Sequence, residues 1–415
     1  MTLNFIWLFF IVVGFLTALV NTFFLEHNVF PELVDGFFKM ATTGFEVILA
    51  LTGVITLWCG IMRVGEKGGA IGFISKLFSP VFGKIFPDIP KGHPAMGSMM
   101  MNFSANFLGL DNAATPLGLK AMNDLQELNP DKETISRSQI MFLLLNTAGL
   151  TLIPISIMTF RATYAAENGI ANFDATDIFI PTFIATFTAT LCTMVIACLV
   201  QRISLFQPAL FLFIAILSAI IGTVIYVTSS MTPEALTKFS YTFSGILIFG
   251  ILVGFLLMAH FQKLKVFDVF IDGAKEGFDT VLKIIPYMVA MLAAIAVFRY
   301  SGALDLVIKG VSNFVALFTS RTEFVEALPT GITRSFSAAA SKGLMLDTWN
   351  SAGINSFPGK LSSVYQGSSE TTFYVVAVYC GSVGIKNSRY LVGLGLLSDL
   401  IAVTAATIVA YIYFL

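Results

Sequence analysis

The sequence predicts an all-α, polytopic membrane protein in which two inverted repeats carry re-entrant hairpins and broken helices. Three observations lead to this prediction: a scarcity of charge, apolar runs long enough to cross a bilayer, and a residue pattern that recurs along the chain. Of the 415 residues, 56% are hydrophobic and only 12% are charged, whereas soluble globular proteins carry about 25% charged residues. A soluble fold could not cover so much apolar material with polar groups.

The apolar runs predict helices, because about 20 consecutive apolar residues span the hydrocarbon core as a helix. A spanning β-barrel would need alternating apolar and polar residues, which these runs lack. The first run has no preceding basic residues and is long for a signal peptide, so we expect it to stay as a transmembrane helix. The predicted spans are Leu3–Leu25, Ala41–Met62, Ile140–Phe160, Phe179–Val200, Ala209–Val227, Phe239–His260, Val281–Phe298 and Leu391–Leu415.

The distribution of Lys and Arg predicts the orientation, since cytoplasmic loops are enriched in both. Basic residues crowd the segment 63–91 and recur at Arg202 and around 263–275, whereas the segments 26–35 and 161–177 are poor in them. We therefore expect a multi-pass protein of the bacterial inner (cytoplasmic) membrane with a cytoplasmic N-terminus. The net charge of −1 gives no reason to expect a nucleic-acid partner.

The chain repeats itself with an offset of 233 residues. Gly44-Phe45-Glu46 resembles Gly277-Phe278-Asp279, and Asn102–Ala105 resembles Ser335–Ala338. Ser136-Arg137 matches Ser388-Arg389 at the longer offset of 252. The helices after Gly44 and Gly277 are predicted to run in opposite directions, which is the inverted arrangement of many secondary transporters. Inversion conflicts with the charge rule at one place, because it puts Lys386 and Arg389 outside.

Two regions, 63–137 and 300–389, mix apolar residues with Gly, Ser, Thr, Asn and Pro. This mixture is typical of half-helices, whose free backbone groups must face protein or a water-filled cavity. Asn and Ser in such regions also serve simply to pack helices together. An ionisable group at the bilayer centre costs at least about 2.5 kcal/mol and is a functional candidate. Arg334 and Glu370 either form a structural ion pair or, in the interpretation we favour, Arg334 waits for an anionic substrate.

These arguments give a set of candidate substrate-binding residues, which are Asn102, Asn106, Asp111, Asn112, Thr115, Thr333, Arg334, Ser335, Gln366, Ser368, Ser369, Glu370 and Thr371. We expect them to converge on one central cavity. No His lies near the serines in sequence, and no Walker-type phosphate loop is present, so we expect no enzyme activity. The spacing of Cys and His predicts no metal site. We expect no cofactor other than a possible coupling Na⁺ or H⁺.

At these polar segments the chain resembles a known family. Asn102–Met122 (NFSANFLGLDNAATPLGLKAM) resembles the signature of spore maturation protein A. Ala327–Trp349 and Gln366–Lys386 resemble spore maturation protein B. The resemblance implies two fused gate domains, residues 1–200 and 205–415, of the nucleoside-recognition group, which also includes part of ferrous iron transport protein B. In the similar concentrative nucleoside transporters a Gly-Gln-Thr-Glu-type segment binds the nucleoside, and Gln366–Thr371 matches its composition but not its order.

We therefore expect a transporter or exporter of a small polar solute, nucleoside-like or an organic anion, that works by alternating access and is ion-coupled. One alternative is a membrane scaffold that acts in envelope, peptidoglycan or spore maturation without transport. A second alternative is a metal-ion permease, by analogy with the iron protein. The expected partners are the solute, the lipid bilayer and, in a homo-oligomer, a second copy of the chain.

Overall fold

The computed structural model describes residues 2–25, 28–109, 111–171, 173–229, 231, 233–317 and 319–415. Within these ranges the chain is all-α, as predicted, and a short 3-10 helix, Glu323–Glu326, precedes α13. The α-helices are α1 Thr2–Phe24, α2 Phe30–Lys67, α3 Ala70–Ile85, α4 Pro94–Phe107, α5 Asp111–Leu128, α6 Arg137–Ala148, α7 Ile155–Glu167, α8 Phe179–Val200, α9 Pro208–Ser229, α10 Pro233–Phe261, α11 Val266–Tyr300, α12 Ala303–Ala316, α13 Leu328–Arg334, α14 Ala338–Ala352, α15 Phe357–Gly367, α16 Thr372–Ser382 and α17 Leu391–Phe414.

Six helices of the described chain are long and apolar enough to cross a membrane. A seventh candidate is the bent pair formed by the end of α11 and α12, which meet at an angle of 68°. The multi-pass prediction is therefore confirmed, and seven of the eight predicted spans lie on single helices. The eighth, Ile140–Phe160, is wrong as a continuous span. It breaks after Gly149 (φ 63°) and resumes beyond Pro154, because Gly permits the left-handed turn and Pro cannot donate a helical hydrogen bond.

Two sets of seven helices follow one another in the same order. The first set is α2–α8 and the second is α11–α17, with α9 and α10 between them. Each set begins with a long helix of 38 or 35 residues that ends in a sharp turn at Gly69 or Gly302, both with positive φ. These two glycines are 233 residues apart, which is the offset of the predicted duplication.

Corresponding helices of the two repeats run in opposite directions. The long helices α2 and α11 pack antiparallel along most of their length, with Gly36 against Tyr300 at one end and Gly60 against Phe270 near the other. The contact of Gly44 with Val289 has a counterpart in the contact of Gly277 with Thr56, and both members are displaced by 233 residues. Such reciprocal contacts are the mark of a two-fold relation. The inverted arrangement is therefore confirmed.

Each repeat contains one hairpin and one interrupted helix. The hairpin α4–α5 closes through hydrogen bonds from Ser98 Oγ to Asp124 Oδ2 (2.6 Å) and from Asn102 Nδ2 to the Ala114 carbonyl (2.8 Å). The hairpin α13–α14 is closed by Ser341 Oγ, which donates to the Thr330 carbonyl at 2.8 Å. The interrupted helices are α6–α7 and α15–α16, whose halves are separated by residues 149–154 and 368–371.

Ion pairs and hydrogen bonds identify the two ends of the molecule. At one end, which we call the basic end, Arg137 bonds the Gln201 carbonyl at the finish of α8, and Lys386 pairs with Glu133 at 2.6 Å. At the other end, which we call the opposite end, Lys360 pairs with Asp177 at 2.9 Å. Since α8 separates Asp177 from Gln201, these contacts lie at different ends.

The prediction that Lys386 and Arg389 conflict with the charge rule is therefore wrong. The segment with Lys386 and Arg389 lies beside residues 133–137, at the basic end. The reason is that α15–α16 is an interrupted helix that crosses from one end to the other, so the chain emerges beyond α16 among the other cations. The match of Ser136 with Ser388 is also wrong in structural terms. Ser136 caps α6, and the serine that caps the corresponding helix α15 is Ser356.

The two main apolar cores are arranged around the interrupted helices. One surrounds α6, nearly all of whose residues are buried, and includes Phe82, Phe103 and Leu391. The other surrounds α15 and includes Trp349 and Tyr365. These cores hold rigidly the half-helices whose ends meet at the centre of the protein.

Candidate functional site

The breaks in the two interrupted helices meet at the centre of the protein. The Glu370 amide N donates to the Thr147 carbonyl at 3.0 Å, which joins the end of α6 to the segment before α16. Each break is also bonded to the hairpin of its own repeat, Leu152 N to the Phe107 carbonyl (2.8 Å) and Phe373 N to the Ser335 carbonyl (3.1 Å). These bonds pair backbone groups that the broken helices leave free.

Gly149 makes the close contact between the repeats possible. A Cβ atom at this position would lie 3.0 Å from the Glu370 amide N and 3.1 Å from the Ser369 carbonyl carbon. Its φ of 63° is in the left-handed region, which glycine adopts without steric cost. Its carbonyl accepts a hydrogen bond from Thr186 Oγ1 of α8 at 2.9 Å. Both the contact and the turn therefore require a residue without a side chain.

A cavity of about 300 Å³ lies beside these breaks. Its wall includes residues from α4–α7 of the first repeat and from α13–α16 of the second. The lining residues are Asn106, Gly109, Ala114, Thr115, Asn146, Gly149, Thr151, Ile153, Pro154, Ile155, Ser156, Ile157, Arg334, Ala338, Lys342, Gln366, Gly367, Ser369, Glu370, Tyr374, Val375 and Tyr379. The predicted convergence of the two polar regions is therefore seen in the structure, although binding by these residues stays a prediction.

Six of the predicted binding residues line this cavity, namely Asn106, Thr115, Arg334, Gln366, Ser369 and Glu370. Four others are buried close by without lining it, namely Asn102, Ser335, Ser368 and Thr371. The prediction that Thr333 converges on this cavity is wrong, since it lines a separate, largely apolar cavity with Phe9, Phe298 and Leu344. It lies one residue before Arg334 on α13, so its side chain points to another side of that helix. The side chains of Asp111 and Asn112 lie outside the described part of the structure.

The structure adds lining residues that the sequence argument did not select. Asn146 accepts a hydrogen bond from Asn106 Nδ2 at 2.9 Å, and it was overlooked because it lies within a run that reads as a plain span. Lys342 also lines the cavity, with its Nζ 5.2 Å from the centre of the Phe160 ring. A lysine inside a predicted membrane region was a signal of the same kind as Arg334. Tyr374 and Tyr379 had no such signal.

Arg334 is already paired with protein groups. Its Nε donates to the Ser369 carbonyl at 2.9 Å, its Nη1 to Thr371 Oγ1 at 3.5 Å, and its Nη2 lies 3.2 Å from Glu370 Oε2. The arginine side chain is buried, whereas that of Glu370 is 46% exposed toward the cavity. The favoured interpretation that Arg334 waits for an anion is therefore wrong in this conformation, because the guanidinium holds the segment 369–371 in place.

Helix ends give the cavity a mixed electrostatic character. The first turns of α5, α7, α14 and α16 contribute lining residues, and so do the last turns of α4, α6, α13 and α15. Helix N-termini carry partial positive charge and free N–H groups, and C-termini carry partial negative charge. The described ionic side chains on the wall are Arg334, Lys342 and Glu370. The arrangement suits a solute with several polar groups, and its two cations outnumber the one described carboxylate.

No group of three or more His, Cys, Asp or Glu side chains suited to a metal ion lies together in the part of the chain that the structure describes. The four cysteines lie at separate buried or half-buried positions. The donor set of the central cavity consists mainly of amides, hydroxyls and backbone groups. Such groups bind polar organic molecules by hydrogen bonds.

Comparisons with known proteins agree with this architecture. Residues 48–164 and 281–386 match the Gate family, described as nucleoside recognition, with one segment in each repeat. The chain is 36% identical to spore maturation protein A of Bacillus subtilis (strain 168) over 193 residues, 46% of this chain and 92% of that protein. It is 40% identical to spore maturation protein B of the same organism over 164 residues, 40% of this chain and 90% of that protein.

The matches cover nearly the whole of each relative but less than half of this chain. The predicted resemblance to spore maturation proteins A and B is thereby confirmed, while the domain boundaries 1–200 and 205–415 stay a prediction. The family match has two segments, the structure has two inverted repeats, and the chain is similar to two relatives, so all three findings indicate two related halves. This chain belongs to the Gate family, which is described as nucleoside recognition, and is similar to both spore maturation protein A and spore maturation protein B.

Proposed function

We propose that this protein transports a small polar solute across the membrane by alternating access. The observation that carries the proposal is the central cavity, whose wall comes from the hairpin and the interrupted helix of each repeat. Secondary transporters bind their substrates near the bilayer midplane at the interface of such repeats, between discontinuous helices. A scaffold that only packs against partners has no need of a polar cavity at this place.

The two hairpins supply a physical basis for alternating access. The hairpin α4–α5 enters from the basic end, where Asn129 at its finish bonds the Thr134 carbonyl next to α6. The hairpin α13–α14 enters from the opposite end, where Tyr164 bonds Asn350 near its finish. Movement of one hairpin at a time would connect the cavity with one side of the membrane only. The inverted repeats make the two open conformations similar in structure.

The residues on the wall of the cavity support the proposal that the solute is nucleoside-like or an organic anion. A volume of about 300 Å³ is at the lower end of the range for small-molecule pockets. Asn106, Asn146 and Gln366 offer amide donors and acceptors of the kind that recognise a base or a sugar. Lys342 and the helix N-termini on the wall favour negative charge. The description of the matched family as nucleoside recognition supports the nucleoside-like class.

The orientation is part of the proposal. The positive-inside rule favours a cytoplasmic basic end, and since α1 finishes beside Ser301 at the opposite end, the N-terminus is then cytoplasmic as well. The test uses a variant whose four native cysteines are replaced and into which one cysteine is introduced. A membrane-impermeant thiol reagent should label a cysteine introduced at Lys386 from the cytoplasmic side only. It should label one introduced at Glu323 from the other side only. The reverse labelling pattern would show that the orientation is wrong.

Solute flux in proteoliposomes tests the function. Vesicles loaded with a mixture of nucleosides and organic anions should release a subset of them, measured by mass spectrometry, when the purified protein is present. Ala338, the first residue of α14, lines the cavity, so Ala338→Phe should fill it and abolish release. Leu282→Phe is the matched control, because Leu282 is 54% exposed on the outside of α11, and its release should equal that of the wild type.

Release that equals that of empty liposomes for every compound would overturn the transport proposal. It would favour the second candidate, a membrane scaffold in envelope or spore maturation, which the names of the two relatives support. A folded but inert protein of this kind should retain the same melting temperature with and without the solute mixture. A transporter should instead be stabilised by the solute that it binds.

A further inference from the structure

Asp399 is a carboxylate buried in the middle of a membrane span, outside the wall of the central cavity. It lies on α17, and only 3% of its surface is exposed. Its Oδ2 accepts a hydrogen bond from Thr372 Oγ1 at 2.7 Å. Its Oδ1 is buried and has no hydrogen-bond partner within the described chain. An ionised carboxylate in such a place is costly unless a cation compensates it.

A second buried carboxylate in this protein has a cation that compensates its charge. Asp347 on α14 is 5% exposed, and Arg299 contacts its Oδ2 through Nε at 2.6 Å and Nη2 at 2.5 Å. No arginine or lysine makes an ion pair with Asp399 within the described residues. The nearby Arg334 directs its hydrogen bonds to the segment 369–371 instead. Asp399 therefore lacks the fixed counter-ion that Asp347 has.

The elements packed against α17 are α6, α8, α13, α15 and α16. Over its whole length α8 carries no charged residue, and the cations of α6 and α15, Arg137 and Lys360, lie at the two ends of the molecule with Gln201 and Asp177. Arg334 and Glu370 are the charged groups that act on Asp399 electrostatically. The remaining titratable side chains on the packed elements are Cys192, Cys198, Tyr365, Tyr374, Tyr379 and Cys380. A mobile cation is therefore the available compensation.

The hydrogen bond to Thr372 connects Asp399 with the central cavity. Thr372 is the first residue of α16 and follows directly after the segment 368–371 that carries Glu370. The two helices are in close contact, since a Cβ atom on Gly395 of α17 would lie 2.6 Å from Thr372 Cγ2. The next residue, Phe373, bonds the tip of the hairpin α13–α14. A change at Asp399 is thus transmitted to the segment 368–371 and to the hairpin α13–α14 through one short path.

We propose that Asp399 carries the proton whose movement drives transport, so that binding and release of H⁺ at this carboxyl accompany each cycle. The inference rests on the proposed transport function and assigns its coupling residue. A proton needs only the free Oδ1, whereas Na⁺ requires several oxygen ligands, and the hydroxyl groups that interact with this carboxylate are those of Thr372 and Ser335. Protonation weakens the acceptor of the Thr372 hydrogen bond and so loosens α16 from α17.

Infrared titration of the purified protein in lipid nanodiscs tests the proton site without any transport. The wild type should show a carboxylic acid C=O band from a buried, protonated side chain, and Asp399→Asn should lose it. Thr372→Val should shift the band, because the hydrogen bond is gone while the carboxyl remains. Addition of NaCl should leave the band unchanged. A band that persists in Asp399→Asn, or that NaCl abolishes, would overturn the assignment of a proton site to Asp399.

Flux under an imposed gradient tests the coupling. With one proton per solute, a gradient of one pH unit supports at most about tenfold accumulation. The probes are the nucleosides or anions that pass in the release assay. The wild type should accumulate them, and Asp399→Asn should not. Asp399→Asn should nevertheless retain solute exchange at equal concentrations. Accumulation by Asp399→Asn would overturn the inference and leave the transport function standing. Absence of any flux in the wild type would refute the transport function instead, and the infrared result would then decide alone whether Asp399 binds a proton.

Discussion

Replacing Arg161 by alanine is expected to lower the free energy of unfolding by about 3 kcal/mol, because a partner of a buried ion pair is removed. Arg161 is fully buried, its Nη2 bonds Asp177 Oδ1 at 2.8 Å, and its Nη1 donates to Ser363 Oγ at 3.1 Å. The guanidinium also lies over the Phe173 ring, 5.1 Å from its centre. Denaturation in mixed micelles, followed by tryptophan fluorescence, measures the loss.

The same experiment contains its own comparison. Lys360 pairs with the other oxygen of Asp177 at 2.9 Å but is 25% exposed, so Lys360→Ala should cost no more than about 1 kcal/mol. Arg161→Lys keeps the charge but loses the planar set of donors, and its effect should fall between the two. Equal stability of Arg161→Ala and the wild type would show that the α7–α8 loop does not depend on this contact.

Removing Arg334 should impair both folding stability and transport, whereas changing Glu370 should impair transport alone. Arg334 is buried and holds the segment 369–371 by three contacts. Loss of a charged hydrogen bond costs about 1.5–3 kcal/mol, so Arg334→Ala should melt at a lower temperature. The Glu370 side chain is 46% exposed, and Glu370→Gln keeps its shape. On the proposed function it should melt like the wild type and transport about tenfold less or worse, since the proposed charged contact with solute is lost.

The double variant separates the two roles of this pair. If Glu370 serves only to neutralise Arg334, the double variant should be more stable than Arg334→Ala, and flux should be unchanged in all three. Unchanged flux in every variant would make the pair structural and remove both residues from the binding site. Measurement of melting temperature and nucleoside release on the same preparations distinguishes these results.

The two repeats could be predicted from the sequence because apolar runs identify the long helices and because glycines recur at equivalent positions in the two repeats. Gly44 and Gly277 mark the places where α2 and α11 approach each other. The break between α6 and α7 escaped prediction because Asn146, Thr147 and Gly149 are too few to lower the mean hydropathy of the run around them. Interruption of a span by one turn of backbone is a local event, which a pattern averaged over a span does not show.

The candidate site was predicted only in part because neighbours on one helix face different directions. Arg334 points into the cavity, whereas Thr333 lines an apolar space near Phe9. Composition identifies a polar segment, but only the packed helices decide which of its residues reach the site. Asp399 stood alone in an otherwise apolar helix and was not selected, since its partner Thr372 comes from a different helix.

The bond between Glu370 N and the Thr147 carbonyl has a consequence for synthesis of the chain. Its acceptor leaves the ribosome long before its donor, and at about 5–20 residues per second the interval is roughly 10–45 s. During this time the end of α6 is inserted without the segment that completes it, and a free carbonyl at membrane depth costs several kcal/mol. Until the second half of the protein is inserted, the Thr147 carbonyl must therefore be hydrogen-bonded by water at the centre of the first half or by another protein.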